Sequence, residues 1–167
     1  MLSIFWDASA LVKRYTAEPG AALVREAFRL VPLSRMACSQ LGILEVVSVL
    51  VRHRNDGWLN QELFEQSMTE FRSEVIDNSG IRVVAVGSQF LLPSVQAIER
   101  HNLNATDAIV LVSALELGRN LRVTGQEQVL WTADQRLRRA AQAEGLRCFD
   151  PESETLNNVR QMMGGTS

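Results

Sequence analysis

The sequence is poor in cysteine, and that scarcity excludes a disulfide-stabilised scaffold. Two cysteines occur among 167 residues. Cys38 and Cys148 stand far apart among apolar neighbours, which favours two buried thiols over a disulfide and indicates a reducing compartment. A chain of this length buries roughly 70% of its unfolded surface, so it can form a core without disulfides. We therefore expect one compact domain in the cytoplasm.

Long apolar segments are also missing. The longest apolar run covers residues 41–51 and is interrupted by Glu45, well short of the roughly 20 residues needed to cross a bilayer. The first residues, MLSIFWD, contain no basic region, and Asp7 stands where a signal peptide needs apolar residues. We therefore expect no membrane span and no secretion by that route.

Positive charge is not in excess. The sequence has 17 Lys and Arg against 19 Asp and Glu, a formal net charge of -2, which argues against indiscriminate binding to nucleic acid. A nuclease remains compatible with this balance, because a site that collects carboxylates to hold metal lowers the net charge while arginine elsewhere contacts phosphate. Arginines cluster at 52–54 and 136–139, although a solvated helix face is the simpler explanation of each cluster.

Short apolar runs alternate with helical patterns along the chain. Strands are predicted at 2–6, 34–39, 81–86, 129–132 and 146–149, and helices at 8–15, 21–30, 40–54, 59–75, 93–101, 104–117 and 135–144. Such alternation is typical of a parallel sheet covered on both faces. The sequence therefore predicts an α/β fold, a three-layer α/β/α sandwich with a central, mainly parallel sheet.

The last third of the sequence contains two predicted boundaries, the end of a helix and the end of the domain. Gly118 is the expected C-cap of the helix before it, and the pattern over 120–128 is hard to assign. Residues 1–150 are predicted to form the domain, and residues 151–167 a flexible tail.

Three of the four candidate carboxylates have a simple structural explanation. Asp7 follows a predicted strand and precedes a helix, and Asp134 stands in the same kind of position, so either side chain could be a helix N-cap. Asp107 lies three residues after Asn104, which is the spacing of a capping box. Taken singly, each of these acids could be structural.

Glu45 differs because it shares a helix face with apolar residues. It lies four residues after Leu41 and three before Ser48, on a face that also carries Leu44 and Val51. An ionised carboxylate rarely enters a core unless it is paired or binds a metal. A functional role for Glu45 is therefore favoured over a surface position.

Together the four acids indicate a metal site. Asp7 and Asp134 should lie outside the carboxyl ends of parallel strands, where ligands collect in open α/β sheets, and Glu45 and Asp107 need only project from adjacent helices toward the same edge. Carboxylates gathered in one place repel one another, and a hard dication between them makes the arrangement favourable. Oxygen-only ligands without a Cys or His cluster indicate Mg²⁺ or Mn²⁺ rather than zinc. The two histidines are predicted bystanders.

Four short segments contain these acids in order: DASALVK at 7–13, LEVVSVLVR at 44–52, ATDAIV at 105–110 and TADQRL at 132–137. In these segments the sequence resembles the PIN-domain family, and within it the VapC-like toxins of bacterial toxin–antitoxin pairs. One such segment is weak evidence. Four in this order, with their acids in register over residues 2 to about 151, form a specific signal.

The resemblance implies an α/β/α sandwich and a Mg²⁺-dependent endoribonuclease whose clustered acids hold one or two metals, with Mn²⁺ as an alternative ion. Carried over by position, Asp7 and Asp107 would be the principal metal ligands. Glu45 and Asp134 would complete the site, directly or through water.

The resemblance also implies supporting residues and partners. Ser9 and Thr132 match small hydroxyl positions that orient the acids or the scissile phosphate, although a helix-capping hydroxyl explains them equally well. RNA is the implied substrate, a cognate antitoxin the implied protein partner and a homodimer the implied assembly. The apolar stripe at 59–75 could serve the dimer or be core. Residues 120–128 look longer than the usual connection into the last catalytic strand, and the segment after residue 151 is extra.

Three other functions remain open. A PIN nuclease that processes RNA without an antitoxin would share the fold and the chemistry, and a small antitoxin reading frame directly upstream would separate the two. A degenerate PIN module that binds RNA or protein without cutting is disfavoured because all four acids are present. A phosphatase with Asp7 as nucleophile is disfavoured because Ser9 stands where that motif needs a second acid.

Overall fold

The computed structural model describes residues 2–77 and 80–163. Within these residues the chain forms a sheet of five strands in the order β3-β2-β1-β4-β5. The strands are β1 (Leu2–Trp6), β2 (Met36–Ser39), β3 (Arg82–Val84), β4 (Glu127–Trp131) and β5 (Arg147–Phe149). Every neighbouring pair is parallel, which confirms the predicted sheet.

Eight α-helices connect or follow the strands in the described part of the chain. They are α1 (Ala8–Leu11), α2 (Ala21–Leu30), α3 (Gln40–Asn55), α4 (Gln61–Phe71), α5 (Leu91–His101), α6 (Ala105–Val123), α7 (Gln135–Ala143) and α8 (Leu156–Met162). A 3₁₀ turn over Val12–Arg14 extends α1, and a π-helical turn over Arg72–Ile76 extends α4. Among the described residues, no helix combines the length and the apolarity that a bilayer crossing requires.

The helices cover both faces of the sheet. Because successive residues of a strand point to opposite faces, Ile4 and Trp6 belong to one core and Phe5 to the other. Val46 of α3 packs into the first core, and Leu111 of α6 packs into the second. The predicted α/β/α sandwich is therefore confirmed.

Several elements begin later than the sequence pattern predicts. β2 starts at Met36 because Leu33–Arg35 form a 3₁₀ turn after Pro32. α4 starts at Gln61 because the side chain of Asn60 caps it, accepting from the backbone N of Leu63 at 2.8 Å. These local hydrogen bonds set the element ends more closely than hydrophobic periodicity does.

The prediction that Gly118 caps α6 is wrong. The helix continues to Val123, and Gly118 is buried inside it. A Cβ at this position would stand 3.4 Å from Nε2 of Gln128, an ordinary van der Waals distance, so Gly118 lies where α6 packs against β4 and not at a helix end. Most of the segment at 120–128 is therefore the end of α6 and the start of β4 rather than a long connection.

The described part of the predicted flexible tail contains a docked helix instead. Thr155 caps α8, and Val159 of this helix is fully buried in the same core as Trp6. Nε of Arg160 lies 3.0 Å from Oε1 of Glu26 on α2. The sequence pattern did not indicate this helix because one buried residue carries most of its packing. The domain boundary at 150 remains a prediction, and residues 164–167 lie outside the described residues.

Gly20 provides a test of how closely the C-terminal segment is built into the fold. Gly20 has φ +86°, and a Cβ there would stand 2.6 Å from the carbonyl oxygen of Pro151. Gly57 has φ +77° but a Cβ there would meet nothing within 4 Å, so it is a matched control. Gly57→Ala should cost about 1 kcal/mol of unfolding free energy from its left-handed backbone. Gly20→Ala should cost about 1–3 kcal/mol more, because it adds overpacking.

Urea unfolding of both variants and of wild type measures the difference. Equal losses in the two variants would show that Pro151 does not press on Gly20.

Candidate active site

The candidate site lies at the carboxyl ends of β1 and β4, which are neighbours in the sheet. Trp6 pairs with Trp131 in register, so Asp7 and Thr132 leave the sheet side by side. The backbone N of Asp7 donates to the carbonyl oxygen of Trp131 at 3.0 Å. The strand order reverses at this place, since β2 lies on one side of β1 and β4 on the other. Open α/β sheets bind their ligands at such a switch point.

Two hydroxyl groups hold the Asp7 carboxylate. Oγ of Ser9 and Oγ1 of Thr132 both donate to Oδ2 of Asp7, the latter at 2.9 Å. The same hydroxyls accept from the backbone: Ser9 from the N of Ala133 at 2.9 Å, and Thr132 from the N of Asp134 at 3.0 Å. Each hydroxyl is thus fixed between a backbone donor and the carboxylate, which restricts the rotamer of Asp7.

Helix capping and site formation involve the same residues. Asp7 is the N-cap of α1 and accepts from the backbone N of Ser9 at 3.3 Å. Asp134 is the N-cap of α7, and its Oδ1 accepts from the backbone N of Arg136 and of Leu137, each at 2.8 Å. These hydrogen bonds engage Oδ2 of Asp7 and Oδ1 of Asp134. Because these capping hydrogen bonds use one oxygen of each carboxylate, the predicted capping roles of Asp7 and Asp134 are compatible with a functional role.

Asp107 lies in the first turn of α6, beside the helix N-cap. Its backbone N donates to Oδ1 of Asn104, and Nδ2 of Asn104 donates to Oδ2 of Asp107, both at 2.8 Å. Burial and the negative charges of Asp134 and Asp7 raise the pKa of Asp107 to about 6, against the opposing effects of Arg136 and Asn104. Asp107 is therefore close enough to two other acids to be affected by their charge.

Glu45 projects from α3 into the same electrostatic environment. The residue is half-buried. Burial, together with the negative charges of Asp7 and Asp107, raises the pKa of Glu45 to about 7. The prediction that Glu45 shares a core-facing side of the helix is wrong, because Leu44 is 62% exposed and Val46 lies on the buried side. Glu45 nevertheless lies near two acids that are remote in sequence.

Asp7 is the most deeply buried of the four acids, with 4% of its surface exposed. Burial raises its pKa, and the hydrogen bonds from Ser9 and Thr132 lower the pKa without cancelling the effect. The folded protein therefore holds Asp7, Glu45 and Asp107 in an environment that disfavours their charged forms.

This donor set fits a hard dication. Its possible donors are carboxylate oxygens, and a dication among them would offset the burial and the like charges that raise the pKa values of Glu45 and Asp107. Within residues 2–77 and 80–163, no three His, Cys, Asp or Glu side chains are grouped closely enough to form a ready-made metal centre. The acids are near enough to repel one another, and metal binding would have to draw them together.

The two histidines, which are predicted to be bystanders, contact other glutamates. Nδ1 of His53 is 3.5 Å from Oε1 of Glu18, and Nε2 of His101 is 2.7 Å from Oε1 of Glu144. Both histidines thus contact glutamates that are not among the four acids.

Sequence reasoning missed Arg136 as a neighbour of the acids. Its guanidinium lowers the pKa of Asp107, and Nη1 lies 3.4 Å from the carbonyl oxygen of Asn102. The available signal was its place two residues after Asp134, which puts it in the first turn of the helix that Asp134 caps.

The raised pKa of Glu45 predicts how stability depends on pH. The folded value of about 7 lies above the ordinary 4.5, so between these pH values the folded protein binds more protons than the unfolded chain. Its stability then falls as the pH rises through this window. In metal-free buffer at pH 8, Glu45→Gln should therefore melt above wild type, by about 2–4 °C after allowance for solvent screening. At pH 4.5 the two proteins should have the same melting temperature.

Thermal unfolding in EDTA at the two pH values measures this effect. Glu99→Gln, an exposed change on α5, is the control that should follow wild type at both. A wild-type and a Glu45→Gln protein with the same dependence on pH would contradict the electrostatic coupling.

Comparison with known proteins assigns this chain to a family. The PIN domain model matches residues 4–143. No functionally curated protein matches the sequence closely enough to show a relationship.

Solved structures share the fold at low sequence identity. PAE2754 from Pyrobaculum aerophilum is 16% identical with a TM-score of 0.66, over 99% of this chain and 97% of that one. FitAcB from Neisseria gonorrhoeae is 14% identical with a TM-score of 0.62, over 90% and 99%. A toxin–antitoxin complex from Klebsiella pneumoniae is 15% identical with a TM-score of 0.56, over 89% and 98%. These likenesses show the fold alone, whereas the family model covers most of the sequence, and the chain therefore belongs to the PIN-domain family.

Proposed function

We propose that this chain is a Mg²⁺-dependent endoribonuclease, with Mn²⁺ as an alternative ion, and that it acts in the cytoplasm as the toxin of a toxin–antitoxin pair. The observation that carries the proposal is the electrostatic coupling of Asp7, Glu45, Asp107 and Asp134 at the switch point of the sheet. PIN domains are generally nucleases and typically use divalent metals, which supports hydrolysis of a phosphodiester bond.

In this proposal the four acids divide the work of holding the metal. Asp7 and Asp107 are the principal ligands, and Glu45 and Asp134 complete the site directly or through water. When bound, Mg²⁺ or Mn²⁺ supplies the Lewis acidity that activates a water for in-line attack on phosphorus and stabilises charge on the leaving 3′ oxygen.

Ser9 and Thr132 are positioning residues in this proposal. Hydrogen bonds to a carboxylate favour its ionised form, so the two hydroxyls oppose the effect of burial on Asp7. They also connect Asp7 to the backbone at Ala133 and Asp134. The chain thereby holds this proposed metal ligand in a fixed orientation at the end of β1 and offsets part of the cost of ionising it.

The charge distribution favours a nuclease over a module that only binds RNA or protein. Keeping Glu45 and Asp107 ionised beside other acids destabilises the folded state. A surface that only binds RNA or protein gains nothing from carboxylates gathered in one place, whereas a dication needs them as ligands. RNA is proposed as the substrate on the likeness of the four sequence segments to VapC-like toxins.

An antitoxin is the proposed protein partner. The fold of this chain is similar to that of a protein solved as a toxin–antitoxin complex from Klebsiella pneumoniae, which supports a partner of the same kind here.

A homodimer is the proposed assembly, and α5 offers the surface that supports it. Leu91, Leu92 and Val95 are 71%, 66% and 41% exposed on this helix, and contiguous exposed apolar residues mark interaction sites. The stripe at 59–75, the alternative suggested by the sequence, goes partly into the core, where Phe71 is fully buried.

The nuclease proposal predicts metal-dependent cleavage of RNA. Purified wild type should cut a pool of structured and single-stranded RNA with Mg²⁺ or Mn²⁺ and should not cut it in EDTA. Asp107→Asn should lose about 100-fold or more in activity, because it removes a charged ligand. Asp7→Asn should do the same. Gel analysis of cleavage over time measures these rates.

Asp56→Asn is the matched control for these variants, since Asp56 is exposed at the end of α3 and away from the four acids. It should cleave like wild type. Equal cleavage by wild type and both site variants would indicate a contaminating nuclease and contradict the proposed site. Mg²⁺ should also raise the melting temperature of wild type more than that of Asp107→Asn, which tests metal binding apart from activity.

The dimer proposal predicts a change in mass. Light scattering should give twice 18.6 kDa for wild type and the single value for Leu92→Glu, because a buried charge disrupts an apolar interface. Val123→Glu is the control, since Val123 is 87% exposed at the end of α6. A monomeric wild type, or a dimer that survives Leu92→Glu, would contradict the proposed surface.

A further inference from the structure

The rim of the acidic site needs a positive charge. RNA approaches as a polyanion, and four carboxylates repel it. A single dication neutralises half of their charge when all are ionised. Positive protein charge close to the acids would therefore help the substrate to enter.

The three arginines of α7 project in three different directions from the helix. Leu137, Ala140 and Ala141 are buried and define the inward side of the helix. At about 100° per residue, Arg136 and Arg138 project to opposite flanks of that side, and Arg139 projects toward solvent. The three arginines, although adjacent in sequence, cannot share one role.

Arg138 is already neutralised. Its Nη1 lies 2.9 Å from Oδ2 of the buried Asp150, and Nη2 donates to Oε1 of Gln135. This arginine fastens α7 to the end of β5. It has little charge to offer a substrate.

Arg136, in contrast, reaches the rim of the site without an ion pair in the described residues. It is exposed, and its hydrogen bond to the carbonyl oxygen of Asn102 is long, at 3.4 Å. Asn102 ends α5, and two residues later Asn104 holds Asp107. The guanidinium therefore spans the gap between the start of α7 and the start of α6, on the side of the acids, with most of its donors free.

We propose that Arg136 binds a phosphate of the RNA at the rim of the acidic site. This inference rests on the proposed nuclease function and adds a substrate contact to it. Arginine suits the task because its planar fork can bind two phosphate oxygens at once. Of the 17 basic residues, Lys13 is the sole lysine in the sequence, and it is buried between Glu18 and Glu152.

Binding of RNA at several salt concentrations tests the contact. A labelled single-stranded RNA of mixed sequence is titrated in Mg²⁺ with Asp7→Asn protein, which should hold RNA without cutting it. The double variant that also carries Arg136→Ala should bind RNA about 5–20-fold more weakly. Its slope of log affinity against log salt should be smaller by about 0.7, the value for one phosphate contact on a single strand. Arg136→Lys should keep the slope and lose part of the affinity, since it keeps the charge without the fork.

Arg139→Ala is the matched control, because it removes the same charge from the solvent side of the same helix. It should change neither affinity nor slope. Equal losses in Arg136→Ala and Arg139→Ala, or none in either, would overturn the contact. A fall in kcat for Arg136→Ala in the otherwise wild-type enzyme, without any change in RNA affinity or salt slope, would overturn it in favour of a residue that positions Asp107.

The outcome is separable from the nuclease proposal. Metal-dependent cleavage by wild type together with unchanged RNA binding by Arg136→Ala would overturn this inference alone. Absence of RNA binding by all four proteins would overturn the inference and the proposed substrate class together.

Discussion

The parallel pairing of β1 with β4 holds together two parts of the site that are 125 residues apart in sequence. The ladder runs in register from Leu2 and Glu127 to Trp6 and Trp131, so Thr132 emerges beside Asp7. A shift of one residue would turn every side chain of a strand to the opposite face. Trp6 and Trp131 oppose such a shift, because they are packed in the same core with ring centroids 4.9 Å apart. The hydroxyl network on Asp7 therefore depends on the packing of two tryptophans one residue below it.

The site works against the stability of the fold that carries it. Burial and like charge raise the pKa values of Glu45 and Asp107, and each ionised group then lowers the free energy of unfolding. The aromatic core beneath the site offsets this cost. Trp131 stacks on Phe149 at 4.1 Å, and Trp6 packs against Phe28 at 5.3 Å. The positions with the least favourable electrostatics thus lie directly above some of the largest apolar side chains in the molecule.

Features encoded by neighbouring residues could be predicted from the sequence, and features that depend on tertiary packing could not. The spacing of Asn104 and Asp107 predicts their hydrogen bonds because both lie in one helical turn. Helix periodicity places Glu45 on one face with Leu44, but it does not predict that this face lies largely outside the core, where Leu44 is 62% exposed. Gly118 does not end α6, because it lies inside the helix where α6 packs against β4, and local sequence does not distinguish that position from a helix end. The sequence likewise does not predict that α8 docks on the domain, because the surface that buries Val159 is formed by distant parts of the chain.

The four acids differ in how firmly the fold restrains them. Asp7, Asp107 and Asp134 each make hydrogen bonds at the start of a helix, so their rotamers are restricted before any metal binds. Glu45 lies within α3, and no hydrogen bond restrains its side chain in the described part of the chain. Ordering a free glutamate side chain costs conformational entropy, up to about 2 kcal/mol. Metal binding would therefore draw mainly Glu45 toward three acids that the chain already holds in place, and the cation would offset the burial and the like charges that raise the pKa of Glu45.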